Sequence, residues 1–327
     1  MKDSIENTYT ILEAKSGAAY DGLRALWSEV FEDKPENVDA FYKTFGDDIT
    51  GYVLTDENGE VCAAITCHLC GEYRGLPVYV SYAICTRGDM RGRGMAGKLI
   101  TFVRDKVTAL GGISVLSPAE PSLIPYYERF GYEPHFSFAQ RAVMSPEIDF
   151  CDYDDYDEFD LDIEGSEDTE PLRPAMDLQP LTPEKYNMYR EAFLSGRPHI
   201  RPTEAMLRVM QAESLYGAGM YSVNRGDAIC IMDEVGPAEA VLTELILNPV
   251  LHELSMDIDT EIASMIAESV GSVQTVFITP GDGGCQGMVY GLPPEDEPEP
   301  EDPYEASHNE EEFTAYTGEP YYGFPIP

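Results

Sequence analysis

Tyr82-Ala83-Ile84-Cys85-Thr86-Arg87-Gly88-Asp89-Met90-Arg91-Gly92-Arg93-Gly94-Met95-Ala96-Gly97-Lys98-Leu99 decides how this chain is read. Residues 76–85 are rich in β-branched and aromatic side chains and read as a strand. Residues 94–110 place Leu99, Phe102, Val103, Val107 and Leu110 on one helical face, and Gly111-Gly112 ends the helix. Between them lies a glycine-rich turn. The first N–H groups of a helix have no intrahelical partner, and the helix dipole adds positive potential there. Glycine lets that backbone approach a phosphate closely. Arg91 and Arg93 add local positive charge to an otherwise acidic chain. The stretch therefore reads as an anion site for a phosphorylated cofactor.

Three phosphate loops compete for it. Gly92-x-Gly94-x-x-Gly97 matches the dinucleotide fingerprint literally, but that fingerprint starts close behind its strand and is followed by an acid about 20 residues on. Here a loop intervenes between Thr86 and Arg91, and residues 113–117, the next strand, end without an acid; Glu120 comes later. A Walker loop needs Gly-Lys-Ser/Thr, whereas Gly97-Lys98 is followed by Leu99. The third loop fits best. Arg91-x-x-Gly94-x-Ala96 resembles the acyl-CoA pyrophosphate loop of the GNAT superfamily of N-acetyltransferases. Downstream, Tyr127-Glu128-Arg129-Phe130-Gly131-Tyr132 resembles that family's Tyr-Glu-x-x-Gly-Phe/Tyr segment. Two motifs at family spacing are far more specific than one.

The resemblance covers about residues 8–144 and implies the following. Backbone amides from Met90 through Arg91, Gly92, Arg93, Gly94, Met95 and Ala96 to Gly97 would hold the pyrophosphate of acetyl-CoA, the co-substrate. Arg91 and Arg93 would add charge-assisted contacts. The strand at Ile84, Cys85 and Thr86 would splay from residues 113–117, leaving backbone groups to pair with the pantetheine amides like an added strand. An N–H near Cys85 would polarise the thioester carbonyl. Tyr127 would be the general acid that protonates the departing thiolate. Glu120 and Glu72 are candidates for the base that neutralises the attacking amine, with a water chain as the alternative. Cys85 reads as core packing rather than as an acyl carrier.

Around these motifs the first half reads β-α-α-β-β-β-α-β-α-β-β. The elements are residues 8–13, 21–31, 38–45, 49–55, 61–73, 76–85, 94–110, 113–117 and 122–130, then two short closing strands within 132–143. Asn58-Gly59 is a hairpin signal between the strands at 49–55 and 61–73. The expected fold class is α/β, an α+β mixed sheet with helices on both faces, in the acyl-CoA N-acyltransferase form. After residue 175 the β-α-α-β-β-β-α-β order returns: 177–180, 182–194, 203–213, 219–224, 228–233, 238–248, 260–270 and 273–279. No phosphate loop stands between the last strand pair. Residues 176–292 are therefore expected to be a degenerate GNAT-like domain in tandem. Gly281-Asp282-Gly283-Gly284 reads as a loop and His252 as structural.

The chain has 327 residues and a formal charge of −39. Residues 145–172 hold 13 acids and no base, and residues 293–327 hold 11 acids, no base and 8 of the 24 prolines. Such blocks bury too little surface to offset ordering entropy. They read as an interdomain linker, 145–175, and a disordered tail, 293–327. Tyr304, Tyr316, Tyr321 and Tyr322 are the residues by which that tail could attach to anything. The charge excludes binding to nucleic acid phosphates or to an anionic membrane. It favours a cationic small-molecule or peptide amine as acceptor. No segment has the apolar core of a signal peptide or membrane span. Seven cysteines, an odd number, suit reduced thiols in a cytoplasm. Cys67-His68-Leu69-Cys70 is half a zinc motif without a second half, inside an alternating strand that would point Cys67 and Cys70 to opposite faces. No metal is expected.

Overall fold

The structure is a computed structural model, and it describes residues 9–146, 176–213, 219–252, 257–293 and Tyr321. The chain divides into two compact units. Unit 1 comprises Met1–Ala139, Leu194–Met210 and Pro280–Pro327; unit 2 comprises Gln140–Phe193 and Gln211–Thr279.

In unit 1, β1 (Thr10–Glu13), α1 (Gly17–Phe31) and α2 (Pro35–Phe45) precede three antiparallel strands, β2 (Ile49–Thr55), β3 (Val61–Tyr73) and β4 (Leu76–Thr86). α3 (Met95–Ala109) then crosses over to β5 (Ile113–Leu116), which pairs parallel to β4. A short α4 (Ile124–Glu128) leads into β6 (Glu133–Met144). Strand β3 is buried on both faces, and its alternation serves two cores. Ala63, Ile65 and Cys67 join Leu99, Ile100, Val103 and Val107 of α3. Ala64 joins Leu23, Leu26 and Trp27 of α1. Burying each large apolar side chain is worth about 1.5–3 kcal/mol, so both helices are held to the sheet by their apolar faces.

In unit 2, β7 (Leu178–Pro180) and α5 (Pro183–Phe193) come first; the next elements in the chain, β8 (Arg201–Pro202) and α6 (Glu204–Glu213) as far as Met210, lie in unit 1. Then come β9 (Gly219–Val223), β10 (Ala228–Val235) and β11 (Glu239–Leu247). After them stand α7 (Pro249–His252), α8 (Ile258–Val270) and β12 (Gln274–Tyr290). Strands β7, β9, β10 and β11 pair antiparallel in that order, and β11 pairs parallel to β12 through Glu239↔Gln274 to Leu242↔Phe277. This is the pairing scheme of β1 to β5. No helix among the described residues is long and apolar enough to cross a membrane.

Four expectations from the sequence need correction. Residues 133–144 form one strand, not two, and the outer edge of β5 is covered by β12, with Ser114↔Tyr290, Val115↔Val289 and Leu116↔Met288. Gly281-Asp282-Gly283-Gly284 lies inside β12, not in a loop. Its glycines carry no side-chain alternation to read, and they are there because β6 lies close. A Cβ at Gly281 would come within 2.7 Å of Ala139 Cβ, and one at Gly287 within 3.1 Å of Phe136. Consequently the boundaries at 144 and 176 do not delimit compact units, because unit 1 takes residues 194–210 and 280 onward. Ser145 is buried and its N–H bonds the carbonyl of Val273 at 2.8 Å, so residue 145 belongs to the fold rather than to a linker. The rest of the expected linker, 147–175, lies outside the described residues. So does the expected tail beyond Pro293, except Tyr321, which is fully buried.

Candidate active site

Strands β4 and β5 pair over three residues and then part. Their register runs Val78↔Ile113, Tyr79↔Ser114, Val80↔Val115 and ends there. On its other side β4 stays paired with β3, but Tyr82↔Thr66 is followed by Cys85↔Ala64. Ala83 and Ile84 thus oppose a single residue, a β-bulge, and Ala83 takes φ 49°. The bulge turns the strand beside the splay and presents Ile84, Cys85 and Thr86 at its mouth. Cys85 is buried against the α1 side, and burial pushes its thiol up to about 12. It is a neutral packing residue at ordinary pH.

After Thr86 the chain forms a 3-10 turn, Gly88–Met90, and enters α3 at Gly94. Gly92 and Gly94 both have φ 76°, a conformation costly for any side chain, and a Cβ at either would meet nothing within 4 Å. No side chain caps α3. Among the described residues, the amides of Arg91 through Gly97 donate no hydrogen bond; the first helical bond is Lys98 N–H to Gly94 O at 3.2 Å. Consecutive free amides bent by left-handed glycines make an anion-binding concavity. Its charge is unspent. Arg87 is tied to Asp89 at 2.7 Å and Glu60 at 3.3 Å. The exposed Arg91 and Arg93 bond only carbonyl oxygens, of Thr86 and Asp89, both at 3.3 Å. Met90 and Met95 are buried beneath them.

The second motif locks α4 against this loop. Gly97 is glycine because Phe130 sits where its Cβ would be, 2.7 Å away. Gly131 turns the chain at φ 82°, and buried Tyr132 exchanges a 2.7 Å hydrogen bond with Ser114 of β5. Tyr127 is thereby drawn into the cluster that holds Met90, Met95, Leu99 and Leu116. It is 8% exposed, and its hydroxyl makes no hydrogen bond among the described residues. Burial, with a smaller contribution from Tyr126, pushes it up to about 12. A cleft of about 790 Å³ runs beside the loop, lined by Gly94, Gly97, Lys98, Tyr126, Arg129 and Phe130. Arg129 stacks its guanidinium over Tyr126 at 4.7 Å.

A family model matches this part of the chain: the acetyltransferase (GNAT) family, over residues 18–132. Residues 18–132 are a GNAT acetyltransferase domain. The chemistry of such a domain is acyl transfer, which makes the chain an acyltransferase. Solved structures share the fold well beyond the GNAT segment. A probable N-acyltransferase from Enterococcus faecalis matches with TM-score 0.60 and 10% identity, covering 86% of this chain and 72% of that one. A GCN5-related N-acetyltransferase from Anabaena variabilis matches with TM-score 0.58 and 14% identity over the same shares, 86% and 72%. One from Kribbella flavida matches with TM-score 0.56 and 13% identity, over 86% and 71%. No curated protein matches the chain.

The two candidate bases of the GNAT domain fare differently. Glu72 pairs with Pro77 and Arg201 at the hairpin end of β4, six residues before the bulge, or roughly 20 Å at strand rise. It stands at the far end of its strand, as the sequence placed it, remote from Ile84 to Thr86. Glu120 follows β5 by four residues, is exposed, and accepts a hydrogen bond from Ser122 at 3.0 Å. Cys67 and His68 point to opposite faces of β3, into different clusters. Sequence reasoning missed β12: Ser117, at the exit of β5, donates to Gln286 O at 2.5 Å. A contact 169 residues apart leaves no signal in local patterning.

Proposed function

We propose that the GNAT domain transfers an acetyl group from acetyl-CoA to a primary amine, by direct attack within a ternary complex. The observation that carries this is the run of seven unbonded amides, Arg91 to Gly97, at the uncapped start of α3 beside a bulged, splayed strand. The open space over Gly92 and Gly94 fits a pyrophosphate, and the guanidinium groups of Arg91 and Arg93, which form no salt bridge among the described residues, match its charge. Bound acetyl-CoA supplies an activated thioester. The free backbone edge at Ile84 to Thr86 binds and orients an extended pantetheine chain, and an N–H near Cys85 faces the carbonyl oxygen. As the amine attacks, the C–S bond breaks. Tyr127, protonated throughout the neutral range, gives its hydroxyl proton to the departing sulfur. The amine proton leaves to water, or from the solvent side to Glu120.

Unit 2 is read as a degenerate GNAT-like domain. Its strand pairing repeats that of β1 to β5, and β11 also bulges, at Thr243, just where its pairing with β12 ends. The segment that follows, Asn248 and the short helix α7, carries no glycine turn. The first turn of α8 carries Asp259 and Glu261 where α3 offers bare amides. Acids at a helix start occupy the site of an anion and repel it. One acetyl-CoA per chain is the expectation. The acceptor is a small-molecule or peptide amine, cationic by preference, since the chain outside its two acid-rich blocks is still acidic. A cytoplasmic setting suits the six described cysteines, all free.

The test is acetyl-CoA consumption across a panel of amines, wild type beside Tyr127→Phe. The variant should lower kcat by about 10²-fold or more while KM for acetyl-CoA stays within about twofold, because a lost proton donor affects only the transition state. Unchanged kcat removes Tyr127 from the mechanism. CoA binding without turnover on any amine leaves a CoA-binding module instead of an enzyme.

A further inference from the structure

Tyr321 is the described residue of the acid- and proline-rich region beyond Pro293. It is 0% exposed, in a stretch reading Thr317-Gly318-Glu319-Pro320-Tyr321-Tyr322-Gly323. Its backbone is held on both sides within unit 1. It forms parallel bridges to Ser137 of β6 and to His199. Its N–H donates to Pro198 O at 2.9 Å, and its carbonyl accepts from Ile200 N–H at 3.3 Å. The Arg197 guanidinium lies 5.9 Å from the ring centroid, within cation–π range. Ser137 and Ile200 are themselves buried. The residues beyond Ile200 continue to β3: Arg201 and Pro202 pair with Glu72 and Gly71, and Thr203 N–H donates to Cys70 O at 2.8 Å.

This is the arrangement by which a protein recognises an extended peptide: main-chain bonds along a strand edge, plus one pocket for one side chain. We propose that residues 197–200 and Ser137 form a docking slot for the chain's own C-terminal segment, with Tyr321 as the recognition residue. Pro320 suits the position before it, because proline prefers extended backbone and offers no N–H that would need a partner. All eleven acids of residues 293–327 fall between Pro293 and Tyr321, so the slot fastens the far end of the acid-rich stretch to the unit in which the stretch begins. Tethering makes the docking intramolecular, at an effective concentration on the order of mM, so one tyrosine and two backbone bonds suffice to keep it occupied. The inference does not rest on the proposed acyl transfer.

Hydrogen exchange on the full chain tests it, with Tyr321→Ala and Tyr321→Phe beside the wild type. In the wild type, peptides covering residues 197–203 and the amide of Tyr321 should exchange at least about 100-fold more slowly than free peptide. Tyr321→Ala should remove that protection from both while peptides from β2 and β3 keep theirs. Tyr321→Phe should retain it. Free exchange of residue 321 in the wild type, or protection of 197–203 untouched in Tyr321→Ala, overturns the proposal. Protection that fades on a roughly hundredfold dilution means that the slot takes the segment of a second copy, which overturns docking within one chain.

Discussion

The most demanding consequence of the fold is that residues 1–144, which contain both family motifs, should not fold alone. Cutting there removes β12 from the edge of β5. Met288 is 0% exposed and belongs to the core that holds Leu99, Val103 and Leu116; Val289 is 4% exposed. Losing each buried side chain forfeits about 1.5–3 kcal/mol. The Ser117–Gln286 hydrogen bond adds about 1 kcal/mol. Tyr290 packs 5.9 Å from Tyr132 and beneath Arg104 at 4.5 Å, so its loss opens the cover over both. The total, roughly 5–8 kcal/mol, rivals the 5–15 kcal/mol of a whole domain. A graded version stays in the full chain: Met288→Ala should destabilise by about 2–5 kcal/mol, the usual range for emptying a buried methionine site. Urea denaturation followed by far-UV circular dichroism reads both. The fragment should show no cooperative transition, and the variant should show a lowered midpoint at unchanged slope. A fragment 1–144 that unfolds cooperatively and turns over acetyl-CoA near the full-length rate would refute this reasoning. So would a Met288→Ala variant within about 0.5 kcal/mol of wild type.

Four further outcomes are expected. Gly94→Glu forces a side chain into φ 76° and puts an anion at the start of α3; acetyl-CoA affinity measured by calorimetry should fall at least about 100-fold, near 3 kcal/mol. Replacing Arg91 and Arg93 together by Ala should raise KM for acetyl-CoA by about tenfold and flatten its salt dependence, because both are exposed and salt screens them. In unit 2, Glu244 and Arg190 are each fully buried and pair at 3.2 Å, with Tyr186 donating to Glu244 at 2.6 Å. Glu244→Gln alone should therefore cost about 3–5 kcal/mol in chemical denaturation, and pairing Glu244→Leu with Arg190→Met should recover most of it. His68 is buried among Phe41, Phe45 and Tyr82, and burial lowers its pKa from 6.5 to about 3. The unfolded chain then binds the proton first, so this stability is intact above pH 6.5 and drains as pH falls toward 3, by about 1.4 kcal/mol per unit. His68→Phe should flatten the decline between pH 6.5 and 5.

Local pattern and tertiary structure divide this protein along a physical line. The β-α-α-β-β-β-α-β order and the glycine turn that opens α3 were legible because each is local. A helix face repeats within four residues, a strand within two, and a glycine at φ 76° declares itself by being glycine. The recurrence of strands and helices after residue 175 was legible for the same reason. What closes β5 was not, because the closing strand lies about 170 residues downstream and is marked by glycines, which carry no side-chain alternation. The bulge at Ala83 was hidden too: one extra residue in one strand shows only against its partner. Charge misled at Tyr321, where composition argued for solvent and two backbone pairings with a buried slot prevailed. The sequence by itself determined the family and with it the kind of chemistry, since both of its motifs are built from consecutive residues. Only the tertiary structure decided where the catalytic domain ends, since a sheet edge is satisfied by whichever strand reaches it.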